Sequence, residues 1–164
     1  MRLTLESPAF TAGGEIPPEY TCDGADRSPA LSWSGVPPEA RSLALIIDDP
    51  DVPDPAAPKR TWVHWVVWDL PPDATGLEAG ASGRNMPPGS AEGVNDSHEH
   101  GYGGPCPPVG RHRYFHQLYA LDRTLGRLPD QTKAGLLRAM EGHVLASAEL
   151  MGTYARSAGR SRRG

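Results

Sequence analysis

From residue 62 to residue 69 the chain reads Trp-Val-His-Trp-Val-Val-Trp-Asp. At a two-residue period, Trp62, His64, Val66 and Trp68 share one face and Val63, Trp65 and Val67 the other, so both faces are apolar apart from His64. That pattern predicts a central strand covered on both sides. Residues 43–47 form a second strand of this kind, Leu-Ala-Leu-Ile-Ile. Along 112–121, His112, Tyr114, His116, Leu118 and Ala120 alternate with Arg113, Phe115, Gln117, Tyr119 and Leu121, which predicts a third strand. A helix is predicted from an N-cap near Asp130 through Leu136, Leu137, Met140 and Val144, a stripe wide enough to seat it on a sheet. Residues 147–154 return as a strand. Proline and glycine punctuate everything else, and 71–108 carries little apolar periodicity, which predicts long functional loops. The fold class is mainly β: a β-sandwich-like core with one or two peripheral helices.

Three polar islands interrupt these apolar runs: Asp49-Pro50-Asp51-Val52-Pro53, Trp62-Val63-His64-Trp65, and Gly104-Pro105-Cys106-Pro107-Pro108 leading into Gly110-Arg111-His112-Arg113-Tyr114. An unpaired polar group inside a buried strand costs a few kcal/mol, so these groups are expected to satisfy one another. Pro50 cannot continue a hydrogen-bond ladder, and the sequence reads as a turn that leaves the Asp49 carboxylate at the mouth of the sheet. His64 needs a partner among its tryptophan and valine neighbours, and a nearby carboxylate would favour its protonated form. His112 follows a glycine- and proline-rich loop able to approach a ligand closely. Two imidazoles, a tyrosine hydroxyl and backbone donors around one carboxylate make a small pocket suited to phosphate or a similar oxyanion, with Trp62 and Pro105 as apolar walls. Arg113 lies on the strand face opposite His112 and Tyr114 and reads as a structural ion-pair partner.

The islands, in this order and spacing, resemble the phosphatidylethanolamine-binding protein family, which includes the Raf kinase inhibitor proteins and bacterial relatives. Tyr20-Thr21-Cys22-Asp23-Gly24, Ser28-Pro29, Leu31-Ser32-Trp33, Gly142-His143-Val144-Leu145-Ala146 and residues 149–154 extend the resemblance over nearly the whole chain. It implies the family's sandwich fold over residues 1–155. It also implies that Asp49, Trp62, His64, Pro105, His112 and Tyr114 line a pocket for phosphorylethanolamine-like headgroups, phosphate and related oxyanions, with Asp51 and Pro53 structural. The output implied is non-enzymatic: regulation or inhibition of a partner kinase or serine protease. A homodimer is compatible with the bacterial relatives, although no stretch of the sequence marks an interface.

Composition narrows this further. At 164 residues the chain fits one domain, and its formal net charge of -4 argues against a nucleic-acid-binding body. The basic end, 156–164, lacks periodicity and reads as a disordered tail. No apolar run approaches a secretory or membrane-spanning segment, so the expected compartment is the cytoplasm, without integral membrane contact. In that compartment Cys22 and Cys106 read as two free thiols, a disulfide between them being the alternative. No cofactor is expected. The competing function is a metal-dependent enzyme using Asp49, His64 and His112 as a two-His, one-carboxylate site. His98 and His100 form a His-x-His pair on a polar loop, read as solvated. Hydrolysis ranks last, because no Gly-x-Ser-x-Gly elbow occurs.

Overall fold

The computed structural model describes residues 2–156. Among the described residues, eight strands, one short 3-10 turn at Pro18–Tyr20 and one helix follow one another. The strands are β1 (Thr4–Glu6), β2 (Leu31–Ser34), β3 (Ser42–Val52), β4 (Arg60–Leu70), β5 (Gly76–Leu77), β6 (Ala91–Glu92), β7 (His112–Leu121) and β8 (Val144–Tyr154), with α1 (Lys133–Met140) before the last. They form two antiparallel sheets, one in the order β1-β2-β5 and one in the order β6-β4-β3-β7-β8.

The apolar run of β3 is explained by its place between β4 and β7, with one layer of core on each face. Leu43, Leu45 and Ile47 join Trp65, Val67, Tyr114 and Leu118 in the core that meets the small sheet through Leu5, Leu31 and Trp33. Ala44 and Ile46 point the other way, toward Val66, Trp68, Leu136 and Met140 beneath α1. β7 matches its expected span, and its two faces divide as the alternation predicts.

Two of the central strands depart from the sequence reading. β3 does not end at Asp49 but continues through Pro50 to Val52. Its pairing with β7 stops at Asp48 and its register with β4 shifts between Asp49 and Val52, so the missing N–H of Pro50 falls where neither neighbour requires it. Along β4 the period-two assignment fails at His64. Ile47 pairs with Trp65 and Asp48 with Val63, so one step on β3 spans two on β4, and His64 is the extra residue of a β-bulge. Val63 therefore joins Val66 and Trp68 under the helix, while His64 turns toward Tyr114, at 5.3 Å between ring centroids. A second bulge at Asp69, with φ 57°, lets its carboxylate accept from Leu125 N at 2.7 Å and Gly126 N at 2.8 Å.

The helix is shorter than its apolar stripe. Its N-cap is Thr132, with Asp130 accepting from the Thr132 amide and hydroxyl and from Arg138. Gly142 takes φ 81° and ends it, so Val144 opens β8 and Leu137 is left 41% exposed. Just past the helix end, His143 Nδ1 meets Asp122 Oδ1 at 2.9 Å. Lys133 Nζ reaches Asp48 Oδ2 at 2.5 Å and ties the first turn to β3. The expected basic tail begins at Arg156, whose Nε donates to Asp23 at 3.1 Å; the rest of it lies outside the described residues.

Cys22 and Cys106 are not free thiols. They form a disulfide that joins the segment after the 3-10 turn to the loop before β7. Sequence alone could not show that these two loops meet, and compartment decided the expectation instead. Disulfides persist in oxidising surroundings, so the cysteines no longer support a cytoplasmic reading.

Candidate functional site

At one end of the large sheet a cavity of about 270 Å³ opens between the ends of β3, β4 and β7 and the loop leading into β7. Asp49, Trp62, His64, His112 and Tyr114, spread over 65 positions of sequence, all line it, together with Val52, Ser97, Gly104, Cys106, Pro107 and Pro108. Pro105 does not. It is buried one residue along, where its carbonyl accepts from Cys22 N at 3.0 Å, and Pro107 and Pro108 provide the apolar wall instead.

The Asp49 and His112 side chains are 3% and 0% exposed and meet at 2.6 Å, Nδ1 to Oδ2. The other Asp49 oxygen accepts from Asp51 N at 2.7 Å. His112 Nε2 points at two carbonyls, Val109 O at 2.8 Å and Pro53 O at 3.1 Å, so this nitrogen must donate. A proton must also lie on the line between Nδ1 and Oδ2, since two acceptors do not attract. Imidazolium with carboxylate and neutral imidazole with carboxylic acid are the two ways to write that arrangement, and both are neutral as a pair. Burial raises the Asp49 pKa, against the lowering effects of His112 and the Asp51 amide.

His64, 5% exposed, is held differently. Its Nδ1 donates to Gly103 O at 2.7 Å, while Gly103 N donates to His64 O at 3.0 Å. Burial pushes its pKa down to about 4, outweighing the Gly103 carbonyl and Asp96, so the ring is neutral near pH 7 and Nε2 carries a lone pair. Among the described residues, neither His64 Nε2 nor the buried Tyr114 hydroxyl has a hydrogen-bonding partner. The two imidazoles therefore bring the pocket no net charge: the His64 ring is neutral, and the charge of the Asp49–His112 pair sums to zero in either form.

The surroundings are built to keep this geometry. Arg113 grips Asp51 with Nε and Nη2 at 3.0 and 2.9 Å, as its strand face implied, and holds that carboxyl below its ordinary pKa. The Asp51 carboxylate also accepts from Arg113 N at 3.0 Å, locking β3 to β7 beyond their ladder. The loop carrying Gly103, Gly104 and Cys106 is pinned to residues 20–26 by the disulfide, by Tyr102 OH to Tyr20 O at 2.7 Å and by Gly104 N to Asp26 Oδ1 at 2.9 Å. The carbonyls of Gly103, Val109 and Pro53 were missed from sequence because main-chain acceptors leave no residue-type signal.

The same bonds bear on the metal alternative. Both His112 nitrogens and the Nδ1 of His64 are engaged in hydrogen bonds, leaving one free imidazole nitrogen where the two-His, one-carboxylate site needs two. Among the described residues no group of three or more His, Cys, Asp or Glu is placed to hold a metal ion. His100 Nδ1 lies 3.2 Å from Glu92 O, and His98 occupies a left-handed turn position with φ 63°. No helix among the described residues is long and apolar enough to cross a membrane.

Comparison with known proteins agrees with this architecture. A family model described as phosphatidylethanolamine-binding protein matches residues 6–155. A UPF0098 protein of Methanothermobacter thermautotrophicus is 54% identical over 156 residues, covering 94% of this chain and 99% of that protein. Two solved structures superpose over almost the full chain. A phosphatidylethanolamine-binding protein homologue, CT736 of Chlamydia trachomatis, gives a TM-score of 0.87 at 45% identity, covering 95% of this chain and 99% of its own. YbcL of E. coli, described as a member of the mammalian PEBP family, gives 0.85 at 28% identity, covering 96% and 100%.

Proposed function

The chain belongs to the phosphatidylethanolamine-binding protein family, and from that premise we propose that it is a non-enzymatic binding module, spanning residues 1–155, whose pocket takes a small phosphate-bearing ligand. The observation that carries this reading is the pair of buried polar atoms without partners among the described residues, His64 Nε2 and Tyr114 OH, on two residues that line one cavity. Leaving a polar atom buried and unpaired costs ~1 to 3 kcal/mol, a cost that a bound polar ligand removes. Trp62, Pro107 and Pro108 supply the apolar rim such a site needs to exclude water. With both imidazoles electrically silent, attraction comes from dipoles and hydroxyl donors rather than net charge. Regulation of a kinase or protease partner is the output implied by the family. Val109, 51% exposed at the rim beside the His112 anchor, is the apolar contact this reading offers a partner surface.

Titration calorimetry with inorganic phosphate tests the pocket. Wild type is expected to bind it, and His64→Ala and Asp49→Ala to bind it at least ~10-fold more weakly while keeping their far-UV spectrum. Unchanged affinity in both variants would move the ligand elsewhere.

A further inference from the structure

We infer that His64 makes this pocket select a ligand that brings its own proton, so that a phosphate group bearing a P–OH is accepted and an oxyanion of the same shape without a proton is rejected. The inference rests on the pocket reading above and adds to it the protonation state of the ligand. It follows from the direction of each hydrogen bond. Gly103 O fixes the proton of His64 on Nδ1 at 2.7 Å, leaving Nε2 only as an acceptor. His112 cannot compensate as a donor, because both of its ring nitrogens are already bonded, Nδ1 to Asp49 and Nε2 to the carbonyls of Val109 and Pro53. Tyr114 OH can rotate to donate or accept, so it supports an oxyanion without requiring a proton from it. An oxygen carrying a lone pair cannot bond to a nitrogen carrying one. A ligand touching His64 Nε2 must therefore donate to it, or the ring must be protonated.

Protonating the ring is the costly option. The charged and titratable groups around it are Asp96, His112, Asp49, Tyr114 and His116. Asp96 is partly neutralised by Arg60 at 3.6 Å and the Val63 amide at 2.8 Å, and Asp49 is matched by His112. Burial outweighs the favourable carboxylate, consistent with a ring that stays neutral until about pH 4. Buried polar groups that lose their partner reject an otherwise isosteric ligand strongly, because the cost falls on the site as well as on the ligand.

Three probes separate the proton from charge and shape. Inorganic phosphate keeps a P–OH as both its mono- and dianion, sulfate has none near neutral pH, and methyl phosphate loses its last proton at ~6. The expected result for the wild-type chain at pH 7.5 is binding of inorganic phosphate at least ~10-fold tighter than sulfate. Methyl phosphate should match inorganic phosphate at pH 5 and fall behind it by a similar factor at pH 7.5. In His64→Phe, which keeps an aromatic ring but no acceptor, the phosphate-to-sulfate ratio should collapse toward one. Sulfate binding as tightly as phosphate, or methyl phosphate tracking inorganic phosphate across the pH range, would overturn the selectivity and leave the anion pocket standing. Failure of all three to bind at any pH would overturn the pocket reading and the selectivity with it.

Discussion

Two buried histidines set the acid limit of this molecule. His64 and His116 are both held neutral by burial, each with its pKa lowered from 6.5 to about 4, and in each Nδ1 donates to main-chain carbonyls. A depressed folded-state pKa means that the unfolded chain takes up the proton first. The stability these rings contribute is complete above pH 6.5 and is lost as the pH falls through about 4. The full loss is on the order of 3 kcal/mol per ring. Asp49 acts the other way: its raised pKa contributes stability that is complete below the unfolded value of 3.8 and lost as pH rises. Urea unfolding between pH 4.5 and 7.5 should show stability falling on acidification, with a shallower slope in His116→Gln. A flat profile would mean that the rings already carry protons in the folded state. At this scale the sequence singled out residues that meet in one cavity but not their protonation. Asp49, His64, His112 and Tyr114 stood out as polar groups in apolar strands, whereas the carbonyls of Gly103, Val109 and Pro53 decide where the protons sit.

Among the elements, strands whose alternation is unbroken were the most legible. β7 carries clean alternation from His112 to Leu121 and forms over that span. β4 carries an equally regular pattern, yet the bulge at His64 reverses which face its first residues occupy, and nothing in Trp-Val-His-Trp marks the extra residue. The helix end was readable in principle, since Gly142 is a common stop, but the apolar spacing to Val144 masked it. The loop that walls the pocket tolerates only glycine at position 104. A Cβ there would run into Tyr20 O and the Asp26 carboxylate, the same surfaces that hold the loop down. Gly104→Ala should therefore lift the loop, costing ~1 to 3 kcal/mol in denaturant unfolding and weakening phosphate binding while the strand signal in far-UV circular dichroism persists. Unchanged binding would show that the loop position does not shape the pocket.

For the molecule as a whole, the disulfide is the one covalent crosslink among the described residues, closing 84 positions of separation between Cys22 and Cys106. Loop-closure arguments assign such a crosslink ~2 to 5 kcal/mol, mainly through the unfolded chain. Replacing both cysteines by serine, or reducing the wild type, should lower the chemical-denaturation midpoint accordingly; an unchanged midpoint would show that the two loops are held together by their hydrogen bonds alone. The family and its sandwich were legible at this scale because the polar islands recur in order along nearly the whole chain. The crosslink was not, because pairing depends on two surface loops meeting in space, which no local pattern encodes.

That crosslink also divides the chain into a ring and its flanks. β2 to β6 lie inside the ring from Cys22 to Cys106, and β1, β7, α1 and β8 lie outside it. Asp49 and His64 belong to the ring, His112 and Tyr114 to the flank, so the pocket is the seam where the two parts meet. A protease that nicks the exposed stretch around Gly83, Arg84 and Asn85 would cut the ring without releasing a fragment. The severed molecule would stay covalently whole until a reductant parts it. An oxidised and a reduced copy, damaged at the same bond, would thus meet different fates.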